Sequence, residues 1–396
     1  MASGICFSTV ALYAVLTVLA ASANVASSTY DESNLKNMGA DAYRFSISWP
    51  RILPGSLHFL HEPWCLSNLG YTIGVFAPGR CSSWLDGSCT GGDSATEPYE
   101  ITHNQLLSHA AVVKLYRDKY QELQKGEIGI IVNSFWFLPY DETAEGVKAR
   151  DRGLAFMFGW IMDPVVYGRY PEIMRERVGN RLPRFSEDEA EMVKGSFDFI
   201  GLNYYSGKYA LSTDDVYHPP NEVSYLTDSG YNPVGDKDSI PTGEQWSNYS
   251  RYNVYPKGLR LLLQYIKLQY KDPLIYITEN VSCYGFWLQG VEEDRNDNVP
   301  ISEALKDYTR KKFFFDHLCC LREAIELDGV NVKGFFTWLL TDNYGWASGY
   351  LVRYGLTMLI LQIKYLRRYH KLSAQWLGSI FGRGDEKARV SEVSDH

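Results

Sequence analysis

The chain of 396 residues lacks a surplus of positive charge, because 39 Lys and Arg stand against 47 Asp and Glu and give a formal net charge of −8. A protein without a basic surface binds phosphate backbones poorly, which argues against nucleic acid as a partner. CxxC pairs, a common cysteine signature of a metal site, are missing from the sequence as well. Neither an internal repeat nor a low-complexity tract is present. The remaining composition, 45% hydrophobic with a mean hydropathy of −0.25, is typical of a globular chain with ample core.

Long hydrophobic runs are also scarce. The run at 5–20 is short for a membrane span and lacks charged flanks, and the run at 356–363 is shorter still. Small residues at 21–23 (Ala-Ser-Ala) follow the first run as an A-x-A cleavage site, so residues 1–23 are predicted to be a secretory signal peptide. Residues 24–396 are then expected to form a single domain in the secretory pathway, with the cell exterior, cell wall or vacuole as destination.

The secretory pathway is an oxidising compartment in which disulfides form. Cys81 and Cys89 bracket a short polar loop and are predicted to form a disulfide. The Asn-Tyr-Ser sequon at Asn248 lies in a polar loop and is predicted to carry a glycan. Cys6 would leave with the signal peptide. The other four cysteines are expected to be buried thiols: Cys65, Cys283, Cys319 and Cys320.

Short apolar runs alternate with longer amphipathic ones along the chain, which predicts βα units and a parallel sheet. Apolar residues three and four apart predict helices around 106–113, 259–266 and 315–325, the second of them opened by Pro256. A polar excursion from Ser212 to Asn253 is predicted to be either a functional cover over the mouth of a barrel or a surface insertion. Six runs have strand character: 43–49, 57–61, 128–133, 197–203, 274–279 and 332–338.

Two of these strand-like runs close on a glutamate. Glu62 stands in the His-Glu-Pro run at 61–63, and Glu279 stands in the Thr-Glu-Asn run at 278–280. The carboxyl ends of barrel strands converge on one face, where such a pair can meet across a substrate. Because paired carboxylates are the usual machinery for breaking a glycosidic bond, the two motifs predict a glycosidase.

Further motifs occur in a fixed order along the chain: DAYRFSISW at 41–49, Glu-Pro at 62–63, APGRC at 77–81, SATEPY at 94–99, DFIGLNYY at 198–205 and YITEN at 276–280. Together they resemble the plant members of glycoside hydrolase family 1, over about 31–381. The resemblance implies a (β/α)8 TIM barrel of the α/β class. It also implies a retaining β-glucosidase that acts on a small β-glucoside or oligosaccharide and needs no metal or other cofactor.

The same resemblance implies roles for individual residues. Glu62 matches the acid/base and Glu279 the nucleophile. Arg44 resembles the arginine beside the nucleophile, and Tyr205 resembles the tyrosine that hydrogen-bonds it. The remaining candidate substrate-binding residues are His61, Asn203, Trp338, Trp346 and Tyr354.

Parts of the family pattern are missing. Only eight residues, 50–57, separate Trp49 from His58, whereas a parallel crossover needs a dozen or more. The third barrel strand is therefore expected to be missing. The resemblance to the family implies that the first strand is missing as well, so that about six of eight are recognisable. His61 replaces the family's asparagine, and Gly345 stands where the family has a sugar-binding glutamate, so weakened glucose recognition is expected. A degenerate, non-catalytic homologue that at most binds glycans is the alternative, and transglycosylation by the same two glutamates also stays open.

Overall fold

The computed structural model of the chain describes residues 13–18, 38–45, 62–245, 253–280, 299–344, 349–350, 353–360 and 367–381. The strands are β1 (Tyr13–Val18), β2 (Ala42–Phe45), β3 (Gly129–Pro139), β4 (Phe199–Ser212), β5 (Tyr231–Val234), β6 (Asp236–Lys237), β7 (Ile240–Pro241), β8 (Glu244–Gln245), β9 (Asn253–Val254), β10 (Ile275–Glu279), β11 (Val332–Thr337), β12 (Thr357–Leu359) and β13 (Arg368–His370). The helices are Cys65–Gly70, Glu97–Lys119, Gln121–Gln124, Ala144–Leu154, Ala155–Gly159, Trp160–Tyr167, Glu172–Val178, Gly179–Arg181, Glu187–Val193, Tyr225–Ser229, Pro256–Gln269, Ile301–Ala304, Tyr308–Glu326 and Leu372–Phe381.

The main sheet has the strand order β2-β1-β11-β10-β4-β3, and every neighbouring pair in this order is parallel. The parallel sheet predicted from the alternation of short and long apolar runs is thereby confirmed. Among the described residues, β2 and β3 end this path, and β5 adds an antiparallel strand to β4. The carboxyl end of β10 lies beside the middle of β4, because Glu279 pairs with Asn203. This pairing positions the candidate site.

Five of the six predicted strands coincide with β2, β3, β4, β10 and β11. The sixth, 57–61, lies outside the described residues, as do 46–49 of the first. Strand β1 was not predicted, because its apolar run falls inside the predicted signal peptide. The same run of apolar and β-branched residues also suits a strand buried inside a parallel sheet. Strand β1 lies within residues 1–23, and the removal of these residues as a signal peptide stays a prediction.

All three predicted helices are present, and two of them bury the apolar residues on which the prediction rested. Helix Pro256–Gln269 begins with the proline predicted to open it, and the apolar side chains of 259–266 are buried on its inner face. Helix Glu97–Lys119 likewise buries its predicted apolar face. Helix Tyr308–Glu326 is present as predicted, and Leu318 and Ile325 pack against the core, but Phe315 is 47% exposed. The buried face carries the polar side chains of Arg310 and His317 among its apolar ones, so apolar spacing alone did not outline that face correctly.

His317 makes the stability of this fold depend on pH. Its ring is completely buried against Phe313 and donates from Nδ1 to the Phe313 carbonyl oxygen at 2.8 Å. Burial lowers the pKa of His317 from 6.5 to about 4. Between these two values only the unfolded chain binds the proton, so lowering the pH stabilises the unfolded state. We expect a loss in the free energy of unfolding of up to about 3 kcal/mol from this residue.

The measurement is urea unfolding of the wild type and His317→Gln at pH 7 and pH 4.5. The glutamine variant has no proton to take up here, so its stability should fall less steeply across this window. Replacement of the exposed His218 by glutamine is the control. The free energy of unfolding of this variant should fall between pH 7 and pH 4.5 as much as that of the wild type. Equal slopes for His317→Gln and the wild type would contradict the assignment.

The polar excursion from Ser212 to Asn253 has more regular structure than its composition predicted. Ser224 caps the helix Tyr225–Ser229 through a capping box, and β5 pairs with the end of β4. Tyr225 is buried, and its hydroxyl accepts a hydrogen bond from Trp64 Nε1 at 2.7 Å. The described part of the excursion is therefore attached to the segment that follows Glu62. The glycosylation candidate Asn248 lies outside the described residues.

The predicted disulfide between Cys81 and Cys89 is confirmed, with the two Cα atoms 5.5 Å apart. Cys65 is a buried thiol, as predicted. Cys319 and Cys320 are free but only partly buried, so that prediction was wrong for them. They lie on Tyr308–Glu326, the helix whose buried face the apolar spacing misjudged. Cys283 lies outside the described residues.

Candidate active site

Glu62 lies where the chain enters a helix. Its backbone φ is +50°, and its carbonyl oxygen accepts a hydrogen bond from the backbone N–H of Cys65 at 2.9 Å, which closes the first turn. Residues other than glycine rarely adopt this left-handed conformation, and those that do cluster at functional sites. The Glu62 residue is only 3% exposed. The strand predicted immediately before it and the candidate His61 both lie outside the described residues.

Glu279 is the last residue of β10, at the strand end where it was predicted, and it is also 3% exposed. Arg44 reaches it from β2, with Nη1 2.9 Å from Glu279 Oε1. The same nitrogen donates to the carbonyl oxygen of Thr278 at 2.9 Å. A buried carboxylate is costly unless it is paired and hydrogen-bonded, and the guanidinium supplies a full positive charge to this one. The contact predicted for Arg44 is therefore present.

Strand β4 connects the two glutamates. Asn203 and Tyr205 are two residues apart, which places both side chains on one face of the strand. Asn203 Nδ2 donates to Glu62 Oε1 at 2.6 Å, and Asn203 Oδ1 accepts from the Thr278 hydroxyl at 2.6 Å. The Tyr205 hydroxyl oxygen lies 2.5 Å from Glu279 Oε2 and 3.3 Å from Glu62 Oε1. Two carboxylates separated by more than half of the chain thus share one hydroxyl group.

The Tyr205 hydroxyl has one hydrogen, so it cannot donate to both carboxylates at once. The shorter contact indicates that the hydrogen points to Glu279, which accepts from Arg44 as well. The Tyr205 oxygen is then an acceptor for a proton carried by Glu62.

Aromatic side chains pack together with Tyr205. Tyr205, Tyr354 and Leu339 form a small buried apolar cluster, and Trp338 packs against it. Trp338 follows β11 directly, and its backbone N–H donates to the Asn280 carbonyl oxygen at 3.4 Å. The candidates Trp338 and Tyr354 are therefore brought next to the carboxylate pair. The remaining aromatic candidate, Trp346, lies outside the described residues.

Two contacts of the Cys65 sulfur were not predicted. Cys65 Sγ donates to Glu62 Oε2 at 2.9 Å, and Asn133 Nδ2 donates to the same sulfur at 3.4 Å. Asn133 lies in β3 and was predicted only as the last residue of a strand. A polar residue at the carboxyl end of a barrel strand is the signal that would have singled it out. Cys65 gave no such signal beyond its spacing of three from Glu62.

Within the ranges that the structure describes, no group of three or more His, Cys, Asp or Glu side chains is placed to hold a metal ion. No helix in those ranges is both long and apolar enough to cross a membrane. Two buried carboxylates, one at the end of a parallel strand and one at the start of a helix, both contact the Tyr205 hydroxyl next to aromatic rings. This arrangement defines the class of glycoside hydrolases.

Comparison with known sequences narrows this class. The sequence profile of glycosyl hydrolase family 1 matches residues 18–60 and 55–385. Beta-glucosidase 11 of Oryza sativa subsp. japonica is 40% identical over 92% of this chain and 80% of its own length. Beta-glucosidase 24 of the same plant is 46% identical over 88% and 81% of the two chains. The chain therefore belongs to glycosyl hydrolase family 1.

Solved structures agree with this assignment. The crystal structure of the rice β-glucosidase Os3BGlu6 superposes with a TM-score of 0.81 and 33% identity, covering 89% of this chain and 86% of the other. A family 1 β-glucosidase of Humicola insolens in complex with glucose gives a TM-score of 0.72 and 34% identity, covering 89% and 68%. The fold is thus an α/β fold of the (β/α)8 TIM-barrel type, as predicted. Six of its parallel strands lie among the described residues.

Proposed function

We propose that the protein is a retaining β-glucosidase that hydrolyses terminal non-reducing β-D-glucosyl residues, with Glu279 as nucleophile and Glu62 as acid/base. One observation carries the proposal: the Tyr205 oxygen lies 2.5 Å from Glu279 Oε2 and 3.3 Å from Glu62 Oε1. The sum of these distances is the largest separation that the two carboxylate oxygens can have. This limit holds for that one pair of oxygens, and it is compatible with the roughly 5–5.5 Å between the carboxyl groups of retaining enzymes.

The reaction then has two steps. Glu279 attacks the anomeric carbon while Glu62 gives its proton to the glycosidic oxygen, so the carbon–oxygen bond to the aglycone breaks as an ester to Glu279 forms. Glu62, now ionised, takes a proton from water as the water oxygen attacks the anomeric carbon. The ester bond breaks, Glu279 is released as a carboxylate, and Glu62 is protonated again. Two inversions at one carbon give overall retention.

The charges around the pair favour this division of roles. The ion pair with Arg44 and the hydrogen bond from Tyr205 both fall on Glu279, which must be ionised to attack. The contacts to Glu62 described above come from neutral groups, the amide of Asn203 and the thiol of Cys65. A neutral donor favours the ionised form less strongly than a guanidinium does, which suits a group that must also carry a proton.

Glucose as the sugar is supported by the relatives, which are named β-glucosidases. Trp338 and Tyr354 supply flat apolar surface for a sugar ring to lie against. Gly345 and His61 stand in place of family polar residues, and each lost charge-assisted hydrogen bond costs on the order of 1.5–3 kcal/mol. We therefore propose that the enzyme binds glucosides weakly, with a raised KM.

The test is hydrolysis of 4-nitrophenyl β-D-glucoside followed by proton NMR. A retaining enzyme releases β-glucose first, and the α-anomer appears only through later mutarotation. Incubation with a 2-deoxy-2-fluoroglucosyl fluoride should trap the ester, and mass spectrometry should find the label on the peptide that contains Glu279. Initial release of α-glucose, or a label on another peptide, would contradict the proposal.

A second candidate is a non-catalytic homologue that binds glycans. It is motivated by Gly345 and by the path of described strands, which ends at β2 and β3 without closing. A purified, cooperatively melting protein that binds a glucoside without any turnover would favour it. The intact contacts between Glu62, Tyr205 and Glu279 favour the enzyme.

We propose in addition that the protein is secreted through its N-terminal leader and carries a glycan at Asn248. The leader pattern of residues 1–23 and the sequon support this. N-terminal sequencing of the exported protein should begin near Asn24. A mature chain that retains Tyr13 would contradict the leader, and an unshifted mass after glycosidase treatment would contradict the glycan.

A further inference from the structure

Glu62 is held at both of its carboxylate oxygens. Oε1 accepts from Asn203 Nδ2 at 2.6 Å, and Oε2 accepts from Cys65 Sγ at 2.9 Å. Donors at both ends fix the plane of the carboxylate, whereas a donor at one end would leave it free to rotate about its last torsion. Proton transfer to a leaving group needs that orientation, because a general acid works only within hydrogen-bond reach of its acceptor.

The position of Cys65 follows from the local backbone. The hydrogen bond from the Cys65 N–H to the Glu62 carbonyl closes one turn, which returns the side chain of residue 65 to the side of residue 62. The helix Cys65–Gly70 is in turn held by hydrogen bonds from the helix Glu97–Lys119. Ser67 Oγ accepts from the Thr102 hydroxyl at 2.7 Å and from Gln105 Nε2 at 3.1 Å. The sulfur is therefore presented to Glu62 by a segment that is itself fixed.

Asn133 orients the S–H group of Cys65. Its Nδ2 donates to Cys65 Sγ at 3.4 Å, so the sulfur accepts from one side and its hydrogen is directed to Glu62 on the other. A thiol is a weak donor with a hydrogen that rotates about the carbon–sulfur bond. It can donate to Oε2 of an ionised Glu62, and it can still donate there when the proton of Glu62 lies on Oε1, next to the Tyr205 oxygen.

We propose that Cys65 is a positioning residue, which holds the Glu62 carboxyl in the orientation for proton transfer in both of its protonation states. The inference rests on the proposed function of Glu62 as acid/base. It goes beyond that function because it assigns a role to a thiol that acts through Glu62 and takes no part in the bond changes of the proposed reaction. Cys65 is fully enclosed, at 2% exposure, so this role does not require contact with solvent.

The first experiment compares wild type, Cys65→Ala and Cys65→Ser on two β-glucosides. An alkyl β-glucoside needs a proton on its leaving oxygen, and a 2,4-dinitrophenyl β-glucoside does not. We expect Cys65→Ala to lower kcat/KM about tenfold on the alkyl glucoside and less than about twofold on the dinitrophenyl glucoside. Cys65→Ser keeps a donor and should recover most of the loss. The parameter kcat/KM is used because it excludes the second chemical step.

Cys319→Ala is the matched control, since it removes a partly buried free thiol from the helix Tyr308–Glu326 and should lower neither value. Equal losses on both glucosides for Cys65→Ala would show a merely structural role and overturn the proposal. No loss on either would overturn it as well.

A second measurement does not depend on turnover. The infrared S–H stretching band of Cys65 is identified by its absence from Cys65→Ala. In Glu62→Gln this band should shift to higher frequency, because a neutral amide is a weaker acceptor than a carboxylate. An unshifted band would overturn the Cys65–Glu62 contact. Absence of turnover in the wild type would instead count against the proposed function, and the band would still decide the contact.

Discussion

Replacement of Glu279 by alanine is expected to lower kcat on 4-nitrophenyl β-D-glucoside by about 10⁴-fold or more. The substitution removes the group that forms the covalent bond to the anomeric carbon, so both chemical steps lose their intermediate. It also leaves Arg44 and Tyr205 without the acceptor that they now share. Initial rates with purified variant and wild type measure the effect, and calorimetric melting of both establishes that the variant is folded.

Rescue by a small anion separates a lost nucleophile from a damaged site. In Glu279→Ala, azide can enter the vacated space and attack the anomeric carbon, which should restore turnover and give the α-glucosyl azide. Glu303→Ala is the control, because this exposed glutamate lies on the helix Ile301–Ala304 and should keep wild-type activity. Retention of more than about a tenth of wild-type activity in Glu279→Ala would eliminate this residue as the nucleophile.

Local sequence was sufficient where one segment determines its own structure. The helix Pro256–Gln269 was predicted because its proline start and its apolar spacing point to the same element. Prediction from local sequence failed at β1, since an apolar run of this length suits both a signal peptide and a buried strand. It also failed at Phe315, where the buried Arg310 and His317 belong to the inner face, and no apolar pattern could show that.

The candidate site, too, was predictable only in part from the sequence. The two glutamates were found because each ends a recognisable motif, and the family resemblance gave their roles. Their contact through Tyr205 depends on the register that places Asn203 opposite Glu279, which is a property of the folded sheet. Cys65 was predicted only as a buried thiol. Its direction depends on the turn that Glu62 opens with a φ of +50°, and no composition or spacing reveals that angle.

Replacement of Glu62 by alanine is expected to produce a loss that depends on the leaving group. General acid catalysis contributes roughly 10²–10⁴-fold, so kcat/KM for an alkyl β-glucoside should fall by about 10³-fold. For 2,4-dinitrophenyl β-glucoside the leaving group departs without a proton, and kcat/KM should fall by less than about tenfold. Glu303→Ala again serves as the control, and steady-state kinetics on both substrates provide the measurement.

The anomer formed with azide distinguishes the two glutamates from each other. In Glu62→Ala the sugar is still transferred to Glu279, and azide then replaces the water that Glu62 no longer activates, which should give the β-glucosyl azide. The two alanine variants are thus expected to yield opposite anomers from one nucleophile. Because Tyr205 contacts both carboxylates, damage to a shared structure would affect the two variants alike. Uniform losses on both leaving groups, or the α-azide from Glu62→Ala, would therefore exclude Glu62 as the acid/base.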